Sequence, residues 1–204
     1  ILRVKEEAYQ KELGSLVELF GHLQSSAGEA AVQFSGSLSS AQYGQERVSF
    51  LNELTAKMSE TTELPTIREI EGLWYELQRE LVASGQVVSF DTDVTEVGGQ
   101  STSCDVTRVG LFNAVCDGKY LKYVASTGGY AFLPRQPAGR YTSTAKKVGN
   151  AEVGDQVKFG VDPTGPTGGS LLANLIQTPS LAERAAQGRE VGYAIITVGL
   201  IGIG

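Results

Sequence analysis

The residue types that do chemistry are sparse in this chain and poorly spaced for it. There is one histidine, His22. Ser/His/Asp catalysis would have to route its proton through that imidazole. His22 lies inside a regular heptad pattern and off its apolar positions, where a solvated side chain is expected. A single imidazole, with no cysteine or carboxylate at ligand spacing, does not make a transition-metal site. Asp91 and Asp93 alternate along one predicted strand and so share a face. Two carboxylates there could hold a cation, but exposed strand residues are the better reading. Gly128-Gly129 and Gly168-Gly169 lack the Lys-Ser/Thr that follows a phosphate loop, so both read as turns. Trp74 and Tyr75 could form a ligand platform, but the spacing around Trp74 makes it a core anchor. No catalytic, cofactor-binding or metal-binding residue is assigned, and a non-enzymatic domain without a cofactor is expected.

Cys104 and Cys116 are the only cysteines. Two cysteines are too few for a disulfide framework or a zinc site. They read as small, buried or half-exposed free residues. An oxidising compartment would permit a bridge. On one continuous strand, however, their ends lie about 40 Å apart at about 3.3 Å per residue. Only a bend at Gly110 would bring them within bonding distance.

The chain has 204 residues, 41% hydrophobic and 20% charged, with a formal net charge of −6. That is enough apolar material for one ordinary domain or two small ones. The acidic balance, with Lys146-Lys147 the nearest thing to a basic run, argues against a nucleic-acid partner. The chain begins without an initiator Met, and Lys5, Glu6 and Glu7 exclude a signal peptide at this end, so an upstream segment is expected.

The elements that would position any site begin with a helix. Tyr9, Leu13, Leu16, Phe20, Leu23, Ala27, Ala30 and Phe34 alternate spacings of four and three, an a/d seam. Glu7 and Lys11 make an i, i+4 pair in the favourable order. Such a seam packs either within its own domain or on copies or partners. Tyr9, Leu13, Leu16, Phe20, Leu23 and Phe34 are the candidate oligomer or partner contacts. Ser35 to Gly44 reads as a loop or frayed helix end. A second helix is predicted from Glu46 to Ser59, with Val48, Leu51, Leu54 and Met58 on one stripe. Thr66-Ile67-Arg68-Glu69 is a capping box opening a third helix, with an apolar stripe from Ile67 to Leu81 and Gly85 as its stop.

From Gln86 the period changes to two. Val88, Phe90, Thr92 and Val94 alternate as a half-buried strand does. Val97-Gly98-Gly99-Gln100 reads as a hairpin turn and Val106 to Val115 as the next strand. Asp117-Gly118 is a type I′ turn signal, and Gly128-Gly129 is another turn, before a short strand from Tyr130 to Leu133. Pro134, Pro137 and Gly139 break the chain. Val157 to Val161 is the last predicted strand. Strands this short and close predict an antiparallel sandwich or small barrel.

Asp162 to Ser170 has linker composition. Leu171 to Ile176 is apolar, and Thr178-Pro179 opens a short helix that is polar on one side. Val191 to Gly204 carries no charge. As a helix it would be about 21 Å long at 1.5 Å per residue, short of the roughly 30 Å of a bilayer core. A soluble protein could bury it as a core helix. Charges that stop at Glu190, Tyr193 at the charged end, and repeated glycines favour a span entering from an interface. Val191, Tyr193, Ile195, Ile196 and Leu200 are the candidate membrane-entry residues. The expected class is α+β: a helical hairpin or coiled-coil region over 1–85, an antiparallel β-module over 86–165, a linker with a short amphipathic helix over 166–189, and the beginning of a transmembrane helix over 190–204.

The run Leu171-Leu172 … Gln177-Thr178-Pro179-Ser180-Leu181-Ala182-Glu183-Arg184 … Gln187-Gly188 … Val191-Gly192-Tyr193-Ala194-Ile195-Ile196 … Gly199-Leu200-Ile201-Gly202 resembles the entry to the first membrane span of the MotA/TolQ/ExbB proton-channel family. It is most similar to the long, TtpC-like members with a periplasmic N-terminal region. Ile70 to Glu80, Arg108 to Asn113, Asp117 to Leu121 and Arg135 to Arg140 also resemble that long form, so the likeness covers most of Leu51 to Gly204. The resemblance implies a bacterial inner-membrane subunit with this region in the periplasm, in a homopentamer around an ExbD-like subunit. Together with a TonB-like protein, it would energise outer-membrane transport such as iron–siderophore uptake. A periplasmic accessory partner is possible. The family's proton-path residues lie on later spans, so none carries over. Two other readings compete: a ligand-sensing ectodomain of a membrane signalling receptor, and a soluble adhesin or carbohydrate-binding module. Against both, no pocket-forming aromatic cluster is apparent in the β-region.

Overall fold

The heptad seam forms one long helix, α1 (Leu2–Gly36). The computed structural model describes residues 2–60 and 64–165, with side chains over 17–59 and 64–165. In its second half, α1 buries Ala27, Ala30, Ala31 and Phe34 against Leu51, Leu54 and Leu73. Leu51 and Leu54 come from α3 (Glu46–Glu60), Leu73 from α4 (Ile67–Ser84). Small alanines on the seam let the helices approach closely, while Leu23, Val48, Phe50 and Met58 fill the margin. A one-turn helix, α2 (Ser40–Tyr43), joins α1 to α3.

The predicted capping box forms at the start of α4. Thr66 Oγ1 accepts from the Glu69 backbone N–H at 3.3 Å, and the Glu69 carboxylate accepts from the Thr66 N–H at 2.6 Å. Lys57 also donates to that carboxylate at 3.0 Å. The Thr66 backbone bond first, and Lys57 next, hold the Glu69 carboxyl down at about 2. Gly85 stops the helix as expected, but at φ −95, without using the left-handed conformation open to glycine.

The chain then forms a five-stranded closed barrel. Its strands are β1 (Val87–Thr95), β2 (Ser101–Val109), β3 (Asn113–Cys116), β4 (Lys119–Val124) and β5 (Gly129–Phe132). The β1–β2 hairpin runs unbroken from Val87 opposite Val109 to Thr95 opposite Ser101. Asp117 (φ 48) and Gly118 (φ 75) both take positive φ, the type I′ geometry their sequence predicts. The expectation of a wholly antiparallel module needs one correction. The barrel closes through a parallel β1–β5 contact of two residue pairs, Val94 with Tyr130 and Thr95 with Ala131. Val94, Val106, Ala114, Leu121 and Tyr130 fill the interior, and Leu38 and Ala41 pack against them from the helical side.

Five further expectations are corrected, the reading of Cys104 and Cys116 as free residues among them. The stretch after Pro137 is a helix, α5 (Gly139–Gly149), which lays Ala145 with Tyr141 against Val115, Tyr120 and Leu133. Val157 to Val161 joins no ladder. It lies over α5 and the barrel wall, where Phe159 stacks on Tyr120 at 5.7 Å and the Gly160 carbonyl accepts from the Tyr120 hydroxyl at 2.9 Å. The predicted Val106–Val115 strand splits at Gly110, whose φ is +56 and where a Cβ would sit 2.5 Å from the Ser84 carbonyl oxygen. That split brings the cysteines together. Thr107 faces Val115 across β2–β3, so Cys116 lies diagonal to Cys104, and the two form a disulfide with a Cα–Cα distance of 6.4 Å. Finally, Trp74 is no core anchor: it is 64% exposed, because α4 buries the face carrying Leu73, Glu80 and Ala83.

Asp162 starts the predicted linker by docking on the barrel, its N–H donating to Asn113 Oδ1 at 2.7 Å. The short amphipathic helix and the membrane-entry stretch lie outside the described residues. Among the described residues no helix is long and apolar enough to cross a membrane.

Candidate functional site

Where the helices meet, the fold gathers polar groups. Glu80 projects from the buried face of α4. It accepts from Ser37 and Ser39 at 2.5 Å each and from Arg47 Nη1 at 2.8 Å. Arg47 spends its other N–H groups on Ser39 (2.7 Å) and Ser40 (2.6 Å), and its guanidinium lies over the Phe34 ring at 4.4 Å. Each charge is buried and hydrogen-bonded, as a charge inside a core must be.

A second cation joins this layer to the barrel. Arg108 on β2 is fully buried. It donates to the Ala83 carbonyl at 2.9 Å, the Gly110 carbonyl at 2.6 Å and Gln42 Oε1 at 2.8 Å. Two phenols complete the junction: Tyr130 donates to the Leu38 carbonyl at 2.6 Å, and Tyr123 accepts from Gln45 Nε2. Burial pushes both hydroxyls above the ordinary tyrosine range, so they stay protonated at neutral pH. These groups are consumed by one another. Their arrangement fixes the helices on the barrel and leaves no nucleophile or base turned outward among them.

This junction was missed from sequence, although a signal existed. Glu80 lies seven residues after Leu73, on the same helix face, so a carboxylate on a core face needs a buried cation. The serine run from Ser37 to Ser40, read as loop, supplies hydroxyls for that pair.

The sequence-predicted contact residues fall into three groups. Phe34 is buried and Leu23 partly buried in the chain's own helical core. Phe20 is half-buried, at the margin. The side chains of Tyr9, Leu13 and Leu16 lie outside the described residues, as do Val191, Tyr193, Ile195, Ile196 and Leu200. His22 is exposed, its Nε2 4.0 Å from the Glu18 carboxylate. Asp91 and Asp93 are exposed on the barrel wall, with Asp91 opposite Asp105. Cys104, Cys116 and Asp117 cluster within 4.8 Å, but the two sulfurs are spent on one disulfide and are not thiolate ligands.

Hollows mark the surface among the described residues. A groove of about 930 Å³ runs between the β1–β2 wall and the segment after α5, lined by Val87, Val109, Val148, Val153, Val157 and Val161. Ser89, bonded to Thr107 at 2.9 Å, together with Glu152, Asp155 and Gln156, supplies its polar lining. The groove is not an aromatic cluster: Phe159 is the one aromatic residue in its lining, and its valines, scattered from 87 to 161, are assembled only by the fold. A smaller hollow of about 330 Å³ lies beside the disulfide, with Glu96, Asp117 and Lys119 on its rim.

Comparison with protein-family models, with curated proteins and with solved structures finds no match.

Proposed function

We propose that this chain is the periplasmic region of a MotA/TolQ/ExbB-type inner-membrane subunit, acting in assembly or partner contact within a proton-driven, TonB-linked transport complex. The observation that carries the reading is the ordered run from Leu171 through Thr178-Pro179-Ser180-Leu181 to Gly192-Tyr193 and Gly202, with its upstream counterparts. Two features support it. The Cys104–Cys116 disulfide suits an oxidising compartment outside the cytoplasm. The long helix α1 is tied to the barrel through the buried junction around Arg47 and Arg108, which suits a part that carries contacts rather than reactions. Held together in the membrane, several copies would sit at high effective concentration, where weak seams pair.

The test is co-purification from membranes with ExbD-like and TonB-like subunits, and iron–siderophore uptake in cells carrying variants. Leu16→Asp with Phe20→Asp is expected to reduce crosslinking and uptake while the β-module keeps its unfolding transition. Wild-type crosslinking and uptake in that double variant would sink the contact role. Recovery of the chain only from the cytoplasmic fraction would sink the family reading.

The groove of about 930 Å³ favours a second reading, the ligand-sensing ectodomain of a membrane receptor. A small apolar ligand that raises the melting temperature, with the effect removed by Val157→Asp, would support it.

A further inference from the structure

The apolar stripe of α4 points away from the core that the helix helps to build. Leu64, Ile67, Trp74 and Leu81 are each more than 60% exposed, and Ile70 and Leu77 lie at 37% and 38%. From Ile67 the spacing is three, four, three, four, a two-heptad seam. These six residues together expose roughly 650 Å², backbone included, a patch comparable with the roughly 300–600 Å² of the largest on a typical monomer.

We propose that this stripe is a homodimer interface, in which α4 packs antiparallel on α4 of a second copy. The area allows it: two stripes offer at most roughly 1,300 Å² to burial, at the lower end of the range of about 1,200–2,000 Å² for a specific interface. So does the symmetry. Ile67 and Leu81 each stand seven residues from Trp74. A two-fold axis at Trp74 sets Ile67 against Leu81 of the second copy at both ends, and the two indoles at the centre. Such a patch is self-complementary, as an isologous contact requires.

Charge points to the same occupant. Glu69, Glu76 and Glu80 are paired within the chain with Lys57, Arg79 and Arg47. Arg68 and Glu71 remain beside the stripe, one of each sign, and the axis sets Glu71 near the Gln78 amide of the second copy. A helix that lies on an anionic bilayer carries Lys and Arg along its polar face, and this one carries mostly Glu. The inference rests on α4 alone and not on the membrane reading.

Trp74 is the only tryptophan, so its fluorescence reports the contact directly. The experiment is sedimentation velocity on the full 204-residue chain with parallel tryptophan emission, from about 1 to about 100 µM. A monomer–dimer equilibrium with a concentration-dependent blue shift is expected. Ile67→Asp and Leu81→Asp should each weaken association at least ~30-fold, as loss of a hot spot does, with unchanged far-UV circular dichroism. Gln78→Glu, which removes no apolar group, should also weaken it by opposing Glu71, and adding Glu71→Gln should restore it. A monomer with constant emission overturns the proposal. So does association that ignores all these substitutions. A blue shift produced only by phosphatidylglycerol vesicles overturns it in favour of a membrane surface.

Discussion

Replacing Arg47 with methionine tests whether the buried junction holds the helices together. Methionine fills the place of the arginine stem as far as Nε, while the guanidinium contact over the Phe34 ring is lost with the charge. What goes is the charge and the donors. Glu80 keeps only the hydroxyls of Ser37 and Ser39, with its carboxylate still buried. Removing one partner of a buried pair costs about 3–5 kcal/mol, because the other charge is left uncompensated. A domain of this size has about 5–15 kcal/mol in total, so about a fifth or more of its stability is at stake. With a urea slope of about 2 kcal/mol/M, the midpoint should fall by roughly 2 M. Arg47→Met with Glu80→Leu should recover most of the loss, since an apolar pair needs no compensation. The assay is urea unfolding followed by near-ultraviolet circular dichroism, disulfide intact. A loss under about 1 kcal/mol in the single variant, with an unchanged slope, would refute the reasoning: Glu80 would then be reaching water or another cation.

Two further outcomes are expected. Cys104→Ser with Cys116→Ser opens a loop with a sequence separation of 12, and the loop-closure entropy of such a loop corresponds to about 3 kcal/mol; urea unfolding of the double variant beside the oxidised chain measures it, and a difference below about 0.5 kcal/mol would show that the barrel alone fixes that corner. Glu69 has a folded pKa of about 2 against an ordinary 4.5. A depressed carboxylate stabilises in full above the unfolded value and loses that contribution as pH falls through the folded one. The first turn of α4 should therefore loosen between about pH 4.5 and about pH 2. Amide exchange there reads it, and Glu69→Gln should lack that acid-dependent step.

Local signals were legible in sequence and long-range ones were not. The Thr66 capping box and the Asp117-Gly118 turn appear as read, because each is decided by residues three or four apart. The core role of Leu51 and Leu54 was legible for the same reason, since a helical period exposes one face. The period did not say which way α4 would turn. Its seam from Ile67 to Leu81 reads as core, but the pairing of Glu80 with Arg47 rotates the helix so that Leu73 and Ala83 go inward. The disulfide was hidden by one residue: without a reversal at Gly110 the strand looks continuous, and the contact with Ser84 that enforces the reversal comes from a distant helix. Helix α5 was masked by Gly139, Thr142, Ser143 and Thr144, weak helix formers that hold a helix here because Ala145 and Tyr141 pack on the barrel.

The parallel closure of the barrel has a mechanical corollary. Nine residue pairs hold β1 to β2, yet only two hold β1 to β5. The cylinder is thus a sheet of hairpins fastened along one short seam, and unzipping that seam would leave the hairpins and the disulfide between β2 and β3 intact. The latch is Tyr130: it sits in the seam opposite Val94, and its hydroxyl reaches out to the Leu38 carbonyl just past the end of α1. A pull along the long helix would therefore arrive at the weakest line of the barrel, and hydrogen exchange at the Val94–Tyr130 and Thr95–Ala131 pairs should quicken before it does in the rest of the β1–β2 ladder.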